Sequence, residues 1–192
     1  MKKIFTLITT ILFVGSMWAT DPVSVTINFG TDETDWAAHT NGSYTDSDSR
    51  VWTRTFSAGN KSSGQATYSQ FGNSNNACTS LVFYATAGSN ISVSAFSVKM
   101  AGASGSTSPT TGTIYLYKRP AVGADVQLAT ASVDGTTTVE CKITSAESFT
   151  STDKLVVDYV GTAKAIRISE LKYTYSAAPK NPGVYLEPNF RS

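Results

Sequence analysis

The chain has 192 residues, with 15 basic and 14 acidic side chains, and charged residues make up only 15% of it, well under the quarter usual for globular proteins. That length is one domain with an appendage, and the near-neutral balance leaves no basic stripe to neutralise phosphates, which argues against a nucleic-acid partner. The lone histidine, His39, excludes every two-histidine metal motif and sits in a polar loop, while no Gly-x-Ser-x-Gly elbow, no Gly-Lys-Ser/Thr phosphate loop and no Gly-x-Gly-x-x-Gly fingerprint occurs.

Residues 1–19 read as a secretory signal peptide. Lys2 and Lys3 form a positive start, Ile4 to Val14 an apolar stretch too short for a comfortable membrane span, and Ala19 a small residue for cleavage. No cysteine follows the apolar stretch, so a lipoprotein anchor is not expected. Without the two leader lysines, thirteen basic residues face fourteen acidic ones. The expectation is an exported protein, secreted, periplasmic or at the cell surface, without a membrane span once the leader is removed.

Strand signals then recur along the chain. Val23, Val25, Ile27 and Phe29 alternate with polar residues up to Gly30, the pattern of a half-buried strand. Residues 31–50 are polar and rich in turn formers, Asn41-Gly42 among them. A short strand over Val51 to Phe56 follows, with Trp52 expected in the core, then a second polar stretch over 57–78 and a compact apolar run from Leu81 to Ala85. Ile91, Val93 and Ala95 give way to Val98 and Met100 with a change of parity near Phe96, which predicts a β-bulge. Beyond the small-residue loop 101–112, Ile114 and Leu116 face one way, Tyr115 and Tyr117 the other. Asp134-Gly135 between Val126–Val133 and Val139–Ile143 reads as the turn of a hairpin. Leu155 to Val160 and Ile166 to Tyr175 close the series, with Ile166, Ile168 and Leu171 set against Tyr173 and Tyr175. About nine short strands and no helical period predict an all-β protein, an antiparallel β-sandwich or jelly roll. The domain is expected to span 20–176, with 177–192 a Pro-rich linker running into the possible start of a second, truncated module.

Cys78 and Cys141 can form a disulfide in an oxidising compartment, or stay as two buried free thiols, the simpler reading. A carboxylate cluster, Asp32, Glu33, Asp35, Asp46 and Asp48, offers oxygens to a structural calcium ion, although it lacks EF-hand spacing and reads equally as turn formers. The remaining acids are scattered, whereas a glycosidase needs two carboxylates facing across a cleft. No catalytic residue is expected.

Binding is the better candidate. Sugars are held by aromatic rings against their C–H faces and by amides and carboxylates on their hydroxyls, an instance of apolar lining with a few placed polar groups. The two polar stretches carry that mix, and Trp36, Tyr44, Tyr68, Phe71 and Asn73 are the candidate ligand-binding residues, each set against a plainer reading as core or loop anchor. Tyr115, Tyr117, Tyr173 and Tyr175 read either as a platform on one sheet face or as cross-strand pairs.

The second half, NISVSAFSVKMAG, GTIYLYKRP, FTSTDKLVVDYVG and AIRISELKYTYS, resembles the jelly-roll accessory modules, similar to carbohydrate-binding modules, of secreted multidomain Bacteroidetes proteins. The resemblance covers roughly residues 90–176 and implies a non-catalytic accessory role toward a polysaccharide or host glycan, with other domains of a longer chain as partners. It carries over no binding residue. The alternative is an adhesive or structural surface module that contacts other proteins.

Overall fold

The computed structural model describes residues 21–30, 42–57, 67–73, 75–103, 111–162 and 165–177, together with the backbone of 62–65. The proposed leader, the 178–192 segment, Trp36 and His39 lie outside the described residues. In chain order the strands are β1 (Val23–Asn28), β2 (Gly42–Thr45), β3 (Val51–Phe56), β4 (Ser62–Gln65), β5 (Tyr68–Phe71), β6 (Ser80–Thr86) and β7 (Ile91–Gly102). There follow β8 (Thr111–Arg119), β9 (Val126–Asp134), β10 (Val139–Lys142), β11 (Glu147–Phe149), β12 (Lys154–Gly161) and β13 (Ile166–Ala177). No helix occurs among the described residues, and so none is long and apolar enough to cross a membrane.

The strands form two antiparallel sheets. The first runs β10-β7-β13-β5-β4, with β1 also on β13 and β11 on β7; the second runs β2-β3-β6-β12-β8-β9. From β5 onward the chain keeps crossing between them, the connectivity of a two-sheet sandwich. Alternation decides what each strand buries: Trp52, Phe56, Leu81, Phe83, Ile114, Leu116, Leu155 and Val157 point inward from the second sheet, Val25, Ile27, Val93, Phe96, Val98, Ile168 and Leu171 from the first. The aromatic part of this core is packed edge to face, with Phe29 on Phe83 at 5.4 Å, Phe71 on Phe83 at 6.1 Å and Phe56 on Phe71 at 5.1 Å. The guanidinium of Arg54, a nearly fully buried residue, lies over the rings of Phe56 and Phe71. Where β8 and β12 run side by side, Gly112 and Gly161 leave room for the buried ring of Tyr159, which a Cβ at either position would strike.

The sandwich is as expected, with corrections in detail. The described residues hold thirteen strands rather than about nine, because the two polar stretches contribute three and the short β11 adds a fourth. β2 lies in the first, and the β4–β5 hairpin in the second. β2 carries no fully buried side chain and β5 buries only Ser69 and Phe71, so neither shows a long apolar alternation. The predicted bulge exists: β13 pairs Thr174 with Ala95 and Tyr175 with Val93, leaving Ser94 as the extra residue that returns Phe96 to the core. A second shift skips Ser169, so Tyr173 faces inward with Ile166, Ile168 and Leu171 instead of opposing them. Asp134-Gly135 does not close a hairpin. β9 pairs with β8 in the second sheet while β10 pairs with β7 in the first. The turn is a crossover, with Gly135 at φ 66° and its carbonyl accepting from the Gly102 amide at 2.8 Å.

Candidate functional site

The outer face of the second sheet gathers aromatic and charged side chains from three strands that are distant in sequence. Tyr84 stands on β6, Val156 and Asp158 on β12, Tyr115 and Tyr117 on β8. Register places them in two rows: Val156 lies between Tyr84 and Tyr117, and Asp158 lies between Val82 and Tyr115. Tyr115 and Tyr117, two residues apart on one strand face, stack at 5.6 Å with 18° between their planes. Tyr84 and Tyr117 are two strands apart, roughly 10 Å at the usual strand spacing. Val156 is fully buried although it lies outside the interior core cluster; its row neighbours Tyr84 and Tyr117 shield it from the outside. All three tyrosines and Asp158 are half-exposed. The result is a half-exposed surface that carries three aromatic rings beside one carboxylate.

Asp158 is the polar feature of this surface. Burial pushes its carboxyl above the usual aspartate range, partly offset by Arg119, with Asp125 adding to the rise. Burial likewise raises the Tyr117 hydroxyl, with Asp158 as the next contributor. At the other end of β12, the Lys154 ammonium stands 4.7 Å from the centroid of the Tyr84 ring, a cation–π contact. Beside it, Arg119 grips Asp125 through Nε at 2.9 and 3.0 Å and Nη2 at 2.7 Å, closing the base of the loop between β8 and β9.

A second tyrosine pair has the opposite character. Tyr173 and Tyr175 on β13 stack at 6.0 Å with 20° between planes, but they are built into the turn between β2 and β3. Asp46 accepts from Trp52 Nε1 at 2.9 Å and Tyr173 Oη at 2.6 Å through one oxygen, and from the amides of Asp48 and Arg50 at 3.0 Å through the other. Tyr175 donates to Asp48 at 2.6 Å. The Arg50 guanidinium stacks on both rings, donates to the carbonyls of Thr86 and Ala87 at 2.8 and 2.5 Å, and lies 3.6 Å from Asp48. Burial and the bond to Asp46 push the Tyr173 hydroxyl far above its ordinary range. The cluster ties an edge turn of one sheet to the closing strand of the other.

The sequence-derived candidates meet different fates. Asp46 and Asp48 spend their oxygens on protein donors, with Arg50 supplying the positive charge, so these two do not fit a calcium ion; Asp32, Glu33 and Asp35 lie outside the described residues. Among the described residues, no group of three or more histidine, cysteine or acidic side chains is arranged for a metal. Phe71 is a correction: it is fully buried between Phe56 and Phe83 and offers no face to a ligand. Tyr44 is half-buried against the core beside Trp52. Tyr68 lies on the other sheet under the Arg167 guanidinium, 4.5 Å from the ring centroid, and Arg167 Nε donates to Gln70 at 3.1 Å. Asn73 closes a turn by accepting from the Asn75 and Asn76 amides at 2.9 Å. Tyr44 and Tyr68 therefore stand on different sheets. Cys78 and Cys141 are buried free thiols, each pushed up to about 11 by burial, so the disulfide alternative falls away. The residues missed were Tyr84 and Asp158, each inside an apolar run that reads as core; strand alternation around them is the signal that could have found them.

No protein-family model matches the chain, and no curated protein matches it. Among solved structures, the chain is similar to the CBM22-1 xylan-binding domain of Paenibacillus barcinonensis Xyn10C, at 15% identity and a TM-score of 0.41 over 83% of this chain and 97% of that one. It is similar to TmCBM61, solved in complex with β-1,4-galactotriose, at 9% identity and a TM-score of 0.35 over 82% and 89%. The CBM22-1–GH10 modules of Clostridium thermocellum endo-1,4-β-D-xylanase 10B, complexed with xylohexaose, match at 13% identity and a TM-score of 0.36. There 62% of this chain is covered, and it spans only 23% of the other. Likeness at this level decides nothing about a ligand, and the reading of the site rests on its own geometry.

Proposed function

We propose that the protein is an exported, non-catalytic module that binds carbohydrate on the outer face of its second sheet. The observation that carries this reading is the combination of Tyr84, Tyr115 and Tyr117 with the Asp158 carboxylate on one half-exposed surface. Sugar rings have apolar C–H faces that lie against aromatic rings, while their hydroxyls need acceptors and donors at the margins. Tyr84 and Tyr117 supply two separated faces along one row. Asp158, acceptor-only when ionised, stands one row away to take hydroxyl protons. An open, shallow face with rings on three strands suits a chain-like glycan laid across the strands better than a small enclosed molecule.

The test is affinity electrophoresis of the purified chain through gels carrying plant, microbial and mucin polysaccharides. Retardation by at least one glycan is expected, weakened more than about tenfold in Tyr117→Ala, the loss typical of an anchoring aromatic. Retardation that survives Tyr117→Ala and Asp158→Asn together would place the site elsewhere, and its absence throughout the panel would favour the adhesive alternative.

A further inference from the structure

Which glycans suit this face follows from how its charges are laid out, an inference that rests on the carbohydrate reading above. Four charged groups stand around the rings. Arg119 and Asp125 neutralise each other in a bidentate pair. Asp158 and Lys154 remain, on the same strand and the same face, four residues apart, which is about 13 Å at the rise of a strand. The face thus has a carboxylate toward one end and an ammonium at the other, too far apart to pair.

The ammonium end is the unusual one. Among the described residues, no carboxylate lies within ion-pair distance of Lys154. Its nitrogen lies over the Tyr84 ring, and its cross-strand neighbours are Thr86 and Arg119. A cation on an aromatic face, with a hydroxyl on one side and a second cation on the other, is a receptor for an anionic group next to a sugar ring. The Tyr84 ring takes the apolar face, Lys154 takes the charge, and Arg119 adds to the local field without leaving Asp125. Asp158 sets the polarity of the bound chain, because it accepts hydroxyl protons and repels a second anion.

We propose that the Lys154 end of this face receives an anionic substituent, carboxylate or sulfate, so that the preferred ligand is an acidic polysaccharide oriented with an uncharged unit at Asp158. The test is isothermal titration of the full chain with polygalacturonate and with the same polymer after its carboxyl groups are reduced to alcohols, and with a sulfated glucan beside its unsulfated parent. One charge-assisted contact should make a charged polymer bind about tenfold more tightly than its neutral counterpart. The gain should vanish in Lys154→Gln, persist in Lys154→Arg, and shrink at an ionic strength of about 0.5 M. Which of the two charged polymers shows the gain identifies the anion. Equal binding of charged and neutral polymers, or a preference that survives Lys154→Gln, would overturn the inference while leaving the carbohydrate reading standing. Failure of every polymer to bind would overturn both.

Discussion

The two stacked tyrosine pairs are built from the same parts and do opposite things. Tyr173–Tyr175 and Tyr115–Tyr117 have nearly the same geometry, 6.0 Å and 20° against 5.6 Å and 18°, and each has arginine and aspartate nearby. Around Tyr173 the polar groups are engaged within the protein: Asp46 accepts four hydrogen bonds, and Arg50 covers both rings. Around Tyr115 the arginine is spent on Asp125, which leaves Asp158 with solvent-accessible acceptor capacity and the rings half-exposed. Residue type does not separate a site from a strut; what separates them is whether the hydrogen-bonding capacity is consumed inside the protein.

The largest effect should come from breaking the closed cluster. Asp46→Ala strips acceptors from buried Trp52 and Tyr173 and leaves Arg50 short of negative charge, and should cost about 3 kcal/mol or more. Urea unfolding followed by tryptophan fluorescence would measure it. Arg50→Met keeps some stacking volume but removes the cation beside Asp48 and the donor to two carbonyls, with an expected loss of about 2 kcal/mol in the same assay. If either variant is as stable as the parent, the cluster is not the strut described here.

The open face should respond in the reverse sense. Tyr117→Ala should lose glycan binding while changing stability by less than about 1.5 kcal/mol, since the ring is only half-buried. A larger destabilisation would mean that the pair serves packing first. Asp158 gives a finer test through pH. Its carboxyl titrates above the ordinary aspartate range because of burial, so binding that depends on the carboxylate should fade on acidification at a milder pH than ordinary aspartate titration would give. The contribution to folding has the opposite sign. A folded-state pKa raised above the unfolded value adds stability that is full below the unfolded pKa and is lost as pH rises through the folded one. Asp158→Asn should flatten both trends, read by titration and by melting across the mildly acidic range. The smallest effect concerns the cysteines: with both thiols buried and pushed up to about 11, a thiol reagent at pH near 8 should label neither until the chain is unfolded, and reductant should leave the melting temperature unchanged.

Much of this fold was legible because strand alternation is a local property. A residue's parity within a strand decides its face, so the inward set of β1 and β8, the core position of Trp52 and the bulge in β7 all follow from neighbours a few residues apart. Two kinds of feature were not legible. β2, β4 and β5 have weak patterns because each spans only four residues, too few for alternation to stand out. The single residue Ser169 reversed the facing of Tyr173, because one extra residue in a period of two moves everything beyond it to the other side.

The sequence by itself determined the class of the molecule and, in regular strands such as β1 and β8, which side chains are buried, since alternation is written in consecutive residues. Only the tertiary structure decided that Asp134-Gly135 carries the chain from one sheet to the other, that Asp46 meets Tyr173 across 127 positions, and that Tyr84, Tyr117 and Asp158 share a surface. The physical reason is that strand pairing joins residues through backbone hydrogen bonds that any sequence can make. Partner choice is therefore settled by how the buried faces of the whole chain pack together, and the candidate site is a by-product of that choice on the outward side.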